Sequence, residues 1–509
     1  MHISLENLRR QAKNLKRDFA DNKPEAVNRA RSVFPETSEL KHTDALHVVA
    51  RENGYASWPR LKIAAELATL DRSKRIERLK IALYYGQHWV TEALLTDDPE
   101  LVNEDLGLQI AVYDRAAVER AIARDQKAAV RKIGTRSPIL HLAFSQHIHA
   151  APELRDDMIA IAEALVQNGA DIDDSYALET GSEHRLSALY GALGHANNMP
   201  LAEFLLDRGA NPNDNESLYH STELGHHDGL KLLLKHGADP AGTNALPRAL
   251  DFDDIEAVRL LLEAGADPND GTAPHPSGEP PTTIPALHQA ARRMCSGELA
   301  TLLIEHGADG RMAFGGHSAY ALACMYGNAP ARAAMAAAGH ATELDASESL
   351  LAAAADGQAT GTVDPDRLTG EARRIMCRIA AMPDRLNHIK SLVAIGISPN
   401  WSDEMGMTAI HVAGWEGLAD SVEWLLNFDP DLTHKNKYGG DLLGTIIHGS
   451  EFCPARNMRY HIACAGMVLD SGAVLRRSAI ELCGAEEMAG FLADWASAHP
   501  TQMIEDKST

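Results

Sequence analysis

Arg208-Gly209-Ala210-Asn211-Pro212, His236-Gly237-Ala238-Asp239-Pro240 and Ala264-Gly265-Ala266-Asp267-Pro268 state one phrase three times, and the step from Gly209 to Gly237 equals the step from Gly237 to Gly265. Related phrases stand at Asn168-Gly169-Ala170-Asp171 and His306-Gly307-Ala308-Asp309. Each follows a stretch with apolar residues at i, i+3 and i+4: Leu201, Phe204 and Leu205; Leu230, Leu233 and Leu234; Leu299, Leu302 and Leu303. Val422, Leu425 and Leu426 keep the same spacing before Phe428. That spacing places the apolar residues on one face of a helix. The glycine suits the left-handed residue that ends a helix, and the proline beyond it cannot continue one. The chain therefore reads as a stack of helical repeats, an architecture that offers an extended binding surface.

Longer steps, from Gly169 to Gly209 and from Gly265 to Gly307, mark units with insertions. A second signature opens each unit: Thr408-Ala409-Ile410-His411-Val412-Ala413 before Gly417, Ser187-Ala188-Leu189-Tyr190-Gly191-Ala192, Ala286-Leu287-His288-Gln289-Ala290, and Ser318-Ala319-Tyr320-Ala321-Leu322-Ala323 before Gly327-Asn328. This pattern resembles the ankyrin repeat, and Asp403, Gly406, Thr408, Ala409, Ile410, His411 and Ala413 follow it best, with Ala409 in the place of proline. The resemblance implies an all-α fold, an ankyrin-repeat solenoid of roughly ten to eleven helix-turn-helix units with short hairpin fingers. It covers residues 76–485, with divergent units at Leu79 to Leu95, Leu108 to Ala123, Leu350 to Gly357, Asn436 to Ile446 and Gly466 to Ala473. A helical segment, 1–75, precedes the array, and residues 486–509 read as a C-terminal cap and tail. One repeat buries about three large apolar side chains at ~1.5 to 3 kcal/mol each, too little to order its backbone alone.

No run of apolar residues is long enough to span a membrane. The N-terminus reaches charged residues at once, without the apolar core of a signal peptide. A cytoplasmic protein is expected. Six cysteines, at 295, 324, 377, 453, 464 and 483, form no C-x-x-C pair and read as reduced, buried thiols.

The charge is divided unevenly. Residues 1–75 hold 15 Lys and Arg against 10 Asp and Glu, a balance of +5; the rest hold 48 − 15 = 33 against 71 − 10 = 61, a balance of −28. An acidic array repels phosphate backbones and steers basic partners. In the head, Leu5, Leu8, Ala12, Leu15 and Phe19 keep helical spacing, Pro24 opens a second helix, and a third runs from Ala45 until Gly54. Ser57 reads as the cap of a fourth, with Pro59 in its first turn. Gly54-Tyr55-Ala56-Ser57-Trp58 is similar to a phrase that precedes the array in some bacterial ankyrin-repeat proteins. Residues 1–75 read as a cap or partner-docking bundle; the alternative is a transcriptional regulator whose head binds DNA through a helix-turn-helix, with Arg60 and Lys62 as its contacts and Trp58, Leu61 and Ile63 as core.

Twenty-four histidines invite metal or acid-base readings. His141, His288 and His411 fall at the ankyrin position whose imidazole ties neighbouring turns, and His195 and His226 at its Gly-His position. His226 and His227 point about 100° apart on a helix, against joint chelation. No metal site and no cofactor is expected, and no catalytic phrase is present, neither G-x-x-x-x-G-K-[ST] nor H-E-x-x-H, G-x-S-x-G or G-x-G-x-x-G before a helix. The expected function is non-catalytic binding of a partner protein with a basic surface. By the ankyrin geometry, Glu223 and Leu224, Met325 and Tyr326, and Trp415 and Glu416 face the concave surface, with core packing as the competing reading.

Three other places stand out. The glycine-rich segment Tyr438 to Ser450 departs from the repeat at Gly440 and Gly444; Tyr438, Gly440, Asp441, Gly444 and His448 are candidate pocket residues of a small-molecule or enzymatic site, with tight helix packing as the alternative. Asp270 to Pro285 lengthens one finger with prolines, and Gln358 to Leu368 lengthens another loop. Exposed loop and docking element are both readings of these insertions.

Overall fold

The chain is described from a computed structural model over residues 5–177, 184–271, 284–368, 370–481 and 483–504. Helices dominate. The described strands are short pairs: Ser175–Ala177 antiparallel to Arg185–Ser187, Ala313–Phe314 antiparallel to His317–Ser318, and Leu475–Arg476 parallel to Met503–Ile504. The first two are fingers between helix pairs. This is an all-α repeat fold.

Each residue of the repeated phrase has its own task. Gly209, Gly237 and Gly265 have φ of 91°, 88° and 102°, and a Cβ there would meet nothing within 4 Å, so backbone conformation rather than space demands glycine. The alanine that follows closes the helix: Ala210 N donates to Leu205 O, Ala238 N to Leu233 O and Ala266 N to Leu261 O, each at 3.0 Å. These are the six-to-one bonds of a Schellman cap, and the alanines are buried beneath it. Asp239 then accepts from Ala241 N at 2.9 Å and Asp267 from Asn269 N at 2.8 Å, which bends the chain into the finger. Two positions further on, an amide joins one repeat to the next. Asn213 Oδ1 accepts from Asp239 N at 2.7 Å, and Asn269 Nδ2 donates to Gly307 O at 2.9 Å.

Two compact units result. One comprises Met1–Asn14, His47–Arg293 and Leu299–Ala308. Its outer helices Arg155–Gln167, Met199–Asp207, Asp228–Lys235 and Ile255–Glu263 bury Leu165, Leu205, Leu233 and Leu261 completely. Each such side chain contributes about 1.5 to 3 kcal/mol against the neighbouring repeat. The inner helices Pro138–Ala143, Ser217–Ser221, Ala245–Asp251 and Ala286–Arg292 are shorter.

The other unit comprises Leu15–Leu46, Met294–Glu298 and Asp309–Thr509. It pairs Ala319–Tyr326 with Ala329–Ala337, Ala409–Trp415 with Ala419–Leu426, and Leu442–Phe452 with His461–Asp470. Here Lys16 Nζ lies 3.7 Å from Asp494 Oδ2, which joins the first helix, Leu5–Ala20, to the last, Glu486–Ala498. In the N-terminal segment, helices begin at Pro24 and Trp58, which puts Ser57 at a cap position, and Trp58 and Leu61 are buried.

The two insertions have different outcomes. Most of the proline-rich finger, residues 272–283, lies outside the described residues. The 358–368 loop is pinned rather than free: Val363 N donates to Ile395 O at 2.8 Å, and Val363 and Leu368 are buried.

Candidate protein-interaction site

The surface residues expected from the repeat pattern are treated very differently by the fold. Glu223 sits at the middle of a chain of charges. His220 Nδ1 is 2.7 Å from Glu223 Oε2, Arg248 donates to Glu223 Oε1 at 2.7 Å and to Asp251 Oδ2 at 2.8 Å, and Arg293 Nε reaches Asp251 Oδ1 at 2.7 Å. Buried Glu216 closes the other end, 2.6 Å from His184 Nε2 and 3.2 Å from His220 Nε2. Burial opposes charge on His220, but its hydrogen bonds to Glu216 and Glu223 outweigh that and raise it to about 9. Burial would likewise raise the Glu223 carboxyl, yet His220 and Arg248 hold it below its ordinary value. The carboxylate at 223 is thus committed to its own chain. His220 and Arg248 stand one repeat step apart, as do Glu223 and Asp251, so the ladder was legible in the repeat spacing. Leu224 is half-buried beside it, in van der Waals reach of Gly229.

Met325 and Tyr326 are corrected outright. Both have 0% exposure, and the Tyr326 hydroxyl donates to buried Glu371 at 3.0 Å. The helix Ala319–Tyr326 is Ala-rich and close-packed on its neighbours, so even its last turn is interior and offers no surface to a partner.

The glycine-rich segment spends its polar groups on itself. Asn436 Oδ1 accepts from Tyr438 N at 3.0 Å and Gly440 N at 3.1 Å, while Asp441 caps the helix Leu442–Phe452 by accepting from Gly444 N at 2.9 Å. Tyr438 projects from the tip, 80% exposed. Tyr438, Gly440, Asp441, Gly444 and His448 therefore do not converge on one space. The close-packing glycines lie elsewhere. A Cβ at Gly449 would run into the carbonyl oxygen of Trp415, and one at Gly414 would stand 2.6 Å from Ile446 Cγ1, so these two allow the inner helices Ala409–Trp415 and Leu442–Phe452 to touch.

That contact brings together residues from two different sequence expectations. The Trp415 and His448 ring centroids are 5.1 Å apart, and His448 and Phe452 are 4.5 Å apart, giving a run of three rings across two repeats. Glu416 flanks it, with Oε2 3.5 Å from Cys453 Sγ. The following loop is fastened alongside: Tyr460 N donates to Gly417 O at 3.0 Å, and His461 Nε2 lies 2.8 Å from Trp415 O. Phe452, Met458 and Tyr460 are 58%, 77% and 69% exposed, far more than large apolar side chains in an interior. Periodicity did not single out these three, because a side chain at or beyond the end of a helix carries no periodic mark of which way it faces.

The histidines serve mainly as ties. His141 Nε2 lies 3.0 Å from Ile133 O, His195 Nε2 2.8 Å from Tyr84 O, and His411 Nδ1 2.7 Å from Thr408 Oγ1. His226 meets Asn197 at 2.9 Å whereas His227 meets Asp254 at 2.8 Å, in different directions. Among the described residues no group of three His, Cys, Asp or Glu is placed to hold a metal ion, and no helix is long and apolar enough to cross a membrane. The cysteines are buried thiols rather than disulfides; burial pushes Cys377 and Cys464 up to about 12.

Helix pairs closed by a common turn, with fingers between them, define a helical-repeat protein. Residues 189–272 match the family model for ankyrin repeats in three copies, so the chain contains ankyrin repeats over that stretch. No curated protein matches the chain.

Proposed function

We propose that this protein is a non-catalytic, cytoplasmic interaction protein that docks a partner protein of basic character on the face formed by Trp415, His448 and Phe452 of two inner helices and by the following loop at Tyr460. Ankyrin repeats generally mediate protein–protein interaction. The observation that carries the assignment is the aromatic run itself, in which half-buried Trp415 meets exposed His448 and Phe452; rigid rings of this kind, with exposed Met458 and Tyr460 in the following loop, have the composition of an interaction hot spot. A formal charge of −23 favours encounter with a basic partner and works against phosphate backbones. Six buried thiols fit a reducing compartment.

The test is affinity capture from native cell extract with the full chain and with a Trp415→Ala, Phe452→Ala, Tyr460→Ala variant. Loss of a captured protein with unchanged thermal unfolding supports the assignment. The same proteins held at the same salt concentration by both chains would overturn it.

A further inference from the structure

In the first unit, the helices Arg72–Tyr84, Leu106–Ala111 and Pro138–Ala143, with the turn at Ile133 to Arg136, line an open cleft of about 410 Å³. That volume lies within the range of small-molecule sites, which are mostly apolar with a few converging polar groups. Leu83, Leu108, Ala111 and Phe144 supply the apolar wall. Gly107 allows the imidazole of His141 to lie against its helix, since a Cβ there would stand 2.9 Å from His141 Cε1.

Arg136 distinguishes this cleft from an ordinary groove. Its guanidinium carbon lies 4.6 Å from the Tyr84 ring centroid, 5.0 Å from Phe144 and 4.6 Å from Tyr176, and Nη2 donates to the Tyr176 hydroxyl at 2.8 Å. Three rings hold the group in place without neutralising it. Among the described residues no carboxylate comes within ion-pair distance of Arg136. The other cation of the wall, Lys80, is already answered by Asp105 at 3.1 Å and Glu77 at 3.3 Å. Burial lowers the His141 pKa, so that ring adds no charge near neutral pH. A guanidinium has five N–H donors in a planar fork suited to two oxygens of one anion. Tyr176 takes one of them. Pre-ordering by the rings removes much of the entropic cost of using the rest.

We propose that this cleft binds a small organic anion, a carboxylate or phosphate on an apolar body, with Arg136 as its anchor. The apolar wall receives the body and the fork receives the charged end.

Isothermal titration of the full chain with benzoate, phenyl phosphate and neutral benzamide tests this. Saturable one-site binding of at least one anion is expected, at least tenfold tighter than benzamide, and whichever of benzoate and phenyl phosphate binds more tightly identifies the charged end. Arg136→Gln should weaken that anion at least tenfold. Because this variant also removes the cation between the rings, a crystal of the wild-type chain soaked with 4-bromobenzoate or 4-bromophenyl phosphate, whichever parent anion binds more tightly, supplies a second readout, the bromine anomalous peak in the cleft. Absence of saturable binding by both anions, equal binding of benzamide, undiminished binding by a folded Arg136→Gln chain, or a bromine peak only outside the cleft would overturn the proposal.

Discussion

The Trp415 indole and the His448 imidazole, which come from successive repeats, lie with ring centroids 5.1 Å apart at an interplanar angle of 51°. Each belongs to the inner helix of its own repeat, and Phe452 extends the contact one turn further. The pair converts two isolated aromatic positions into one continuous face.

Hot-spot aromatics typically cost at least about 2 kcal/mol of binding when truncated, roughly a thirtyfold loss of affinity. Phe452→Ala should have that effect on partner affinity, while shifting unfolding by no more than about 0.5 kcal/mol because the ring is exposed. Once a partner is in hand, surface plasmon resonance and urea unfolding together check this. A large stability loss would show that Phe452 is a packing residue.

The glycines of the helix Leu442–Phe452 should behave in opposite ways. Gly449→Ala forces a methyl against the Trp415 carbonyl and should destabilise by about 1 to 3 kcal/mol. At Gly444 the nearest atom to an added Cβ is Asp441 Oδ1 at 3.2 Å, so Gly444→Ala should be close to neutral or stabilising by up to ~1 kcal/mol. Paired urea melts decide the matter, and equal midpoints for the two variants would refute the assignment of the helix contact.

At Gly237 the demand is conformational. Its φ of 88° costs an L-residue about 1 to 2 kcal/mol, and nothing lies near enough to clash. Stability should therefore fall in the order Gly, Asn, Ala, Val at this position, because asparagine tolerates the left-handed region better than alanine does. A Gly237→Ala chain as stable as the wild type would contradict the reading of the cap.

His388 should make the protein acid-sensitive. It is buried in the helix Leu386–Ala394, with neither ring nitrogen hydrogen-bonded among the described residues, and burial, helped by Arg385, lowers it to about 4. Its unfolded value is about 6.5, so protonation favours the unfolded chain: the stability is complete above about pH 6.5 and is lost as pH falls towards 4. The loss reaches about 2 kcal/mol at pH 5 by linkage. His411, also lowered to about 4, acts in the same direction. Urea unfolding at pH 7 and pH 5 should show a smaller drop for His388→Leu than for the wild type; identical drops would count against the assignment.

The repeat register was determined by local rules. Glycine at a left-handed cap, a small residue beneath it, a turn-forming carboxylate and a 3.6-residue apolar period each act within a few residues, so the phrase around Gly209, Gly237 and Gly265 specified where helices end and which face they bury. The constant repeat spacing even contained the ladder of His220, Glu223, Arg248 and Asp251. Which side chains remain available to a partner was decided only by tertiary structure. Met325 and Trp415 hold the same register position, yet one is sealed inside and the other meets His448 at a surface. Neighbouring repeats set that difference through their bulk and closeness of approach, as Gly449 does for Trp415. Likewise the fork of Arg136 acquires its three rings from residues as distant as Tyr84 and Tyr176, which only packing brings together.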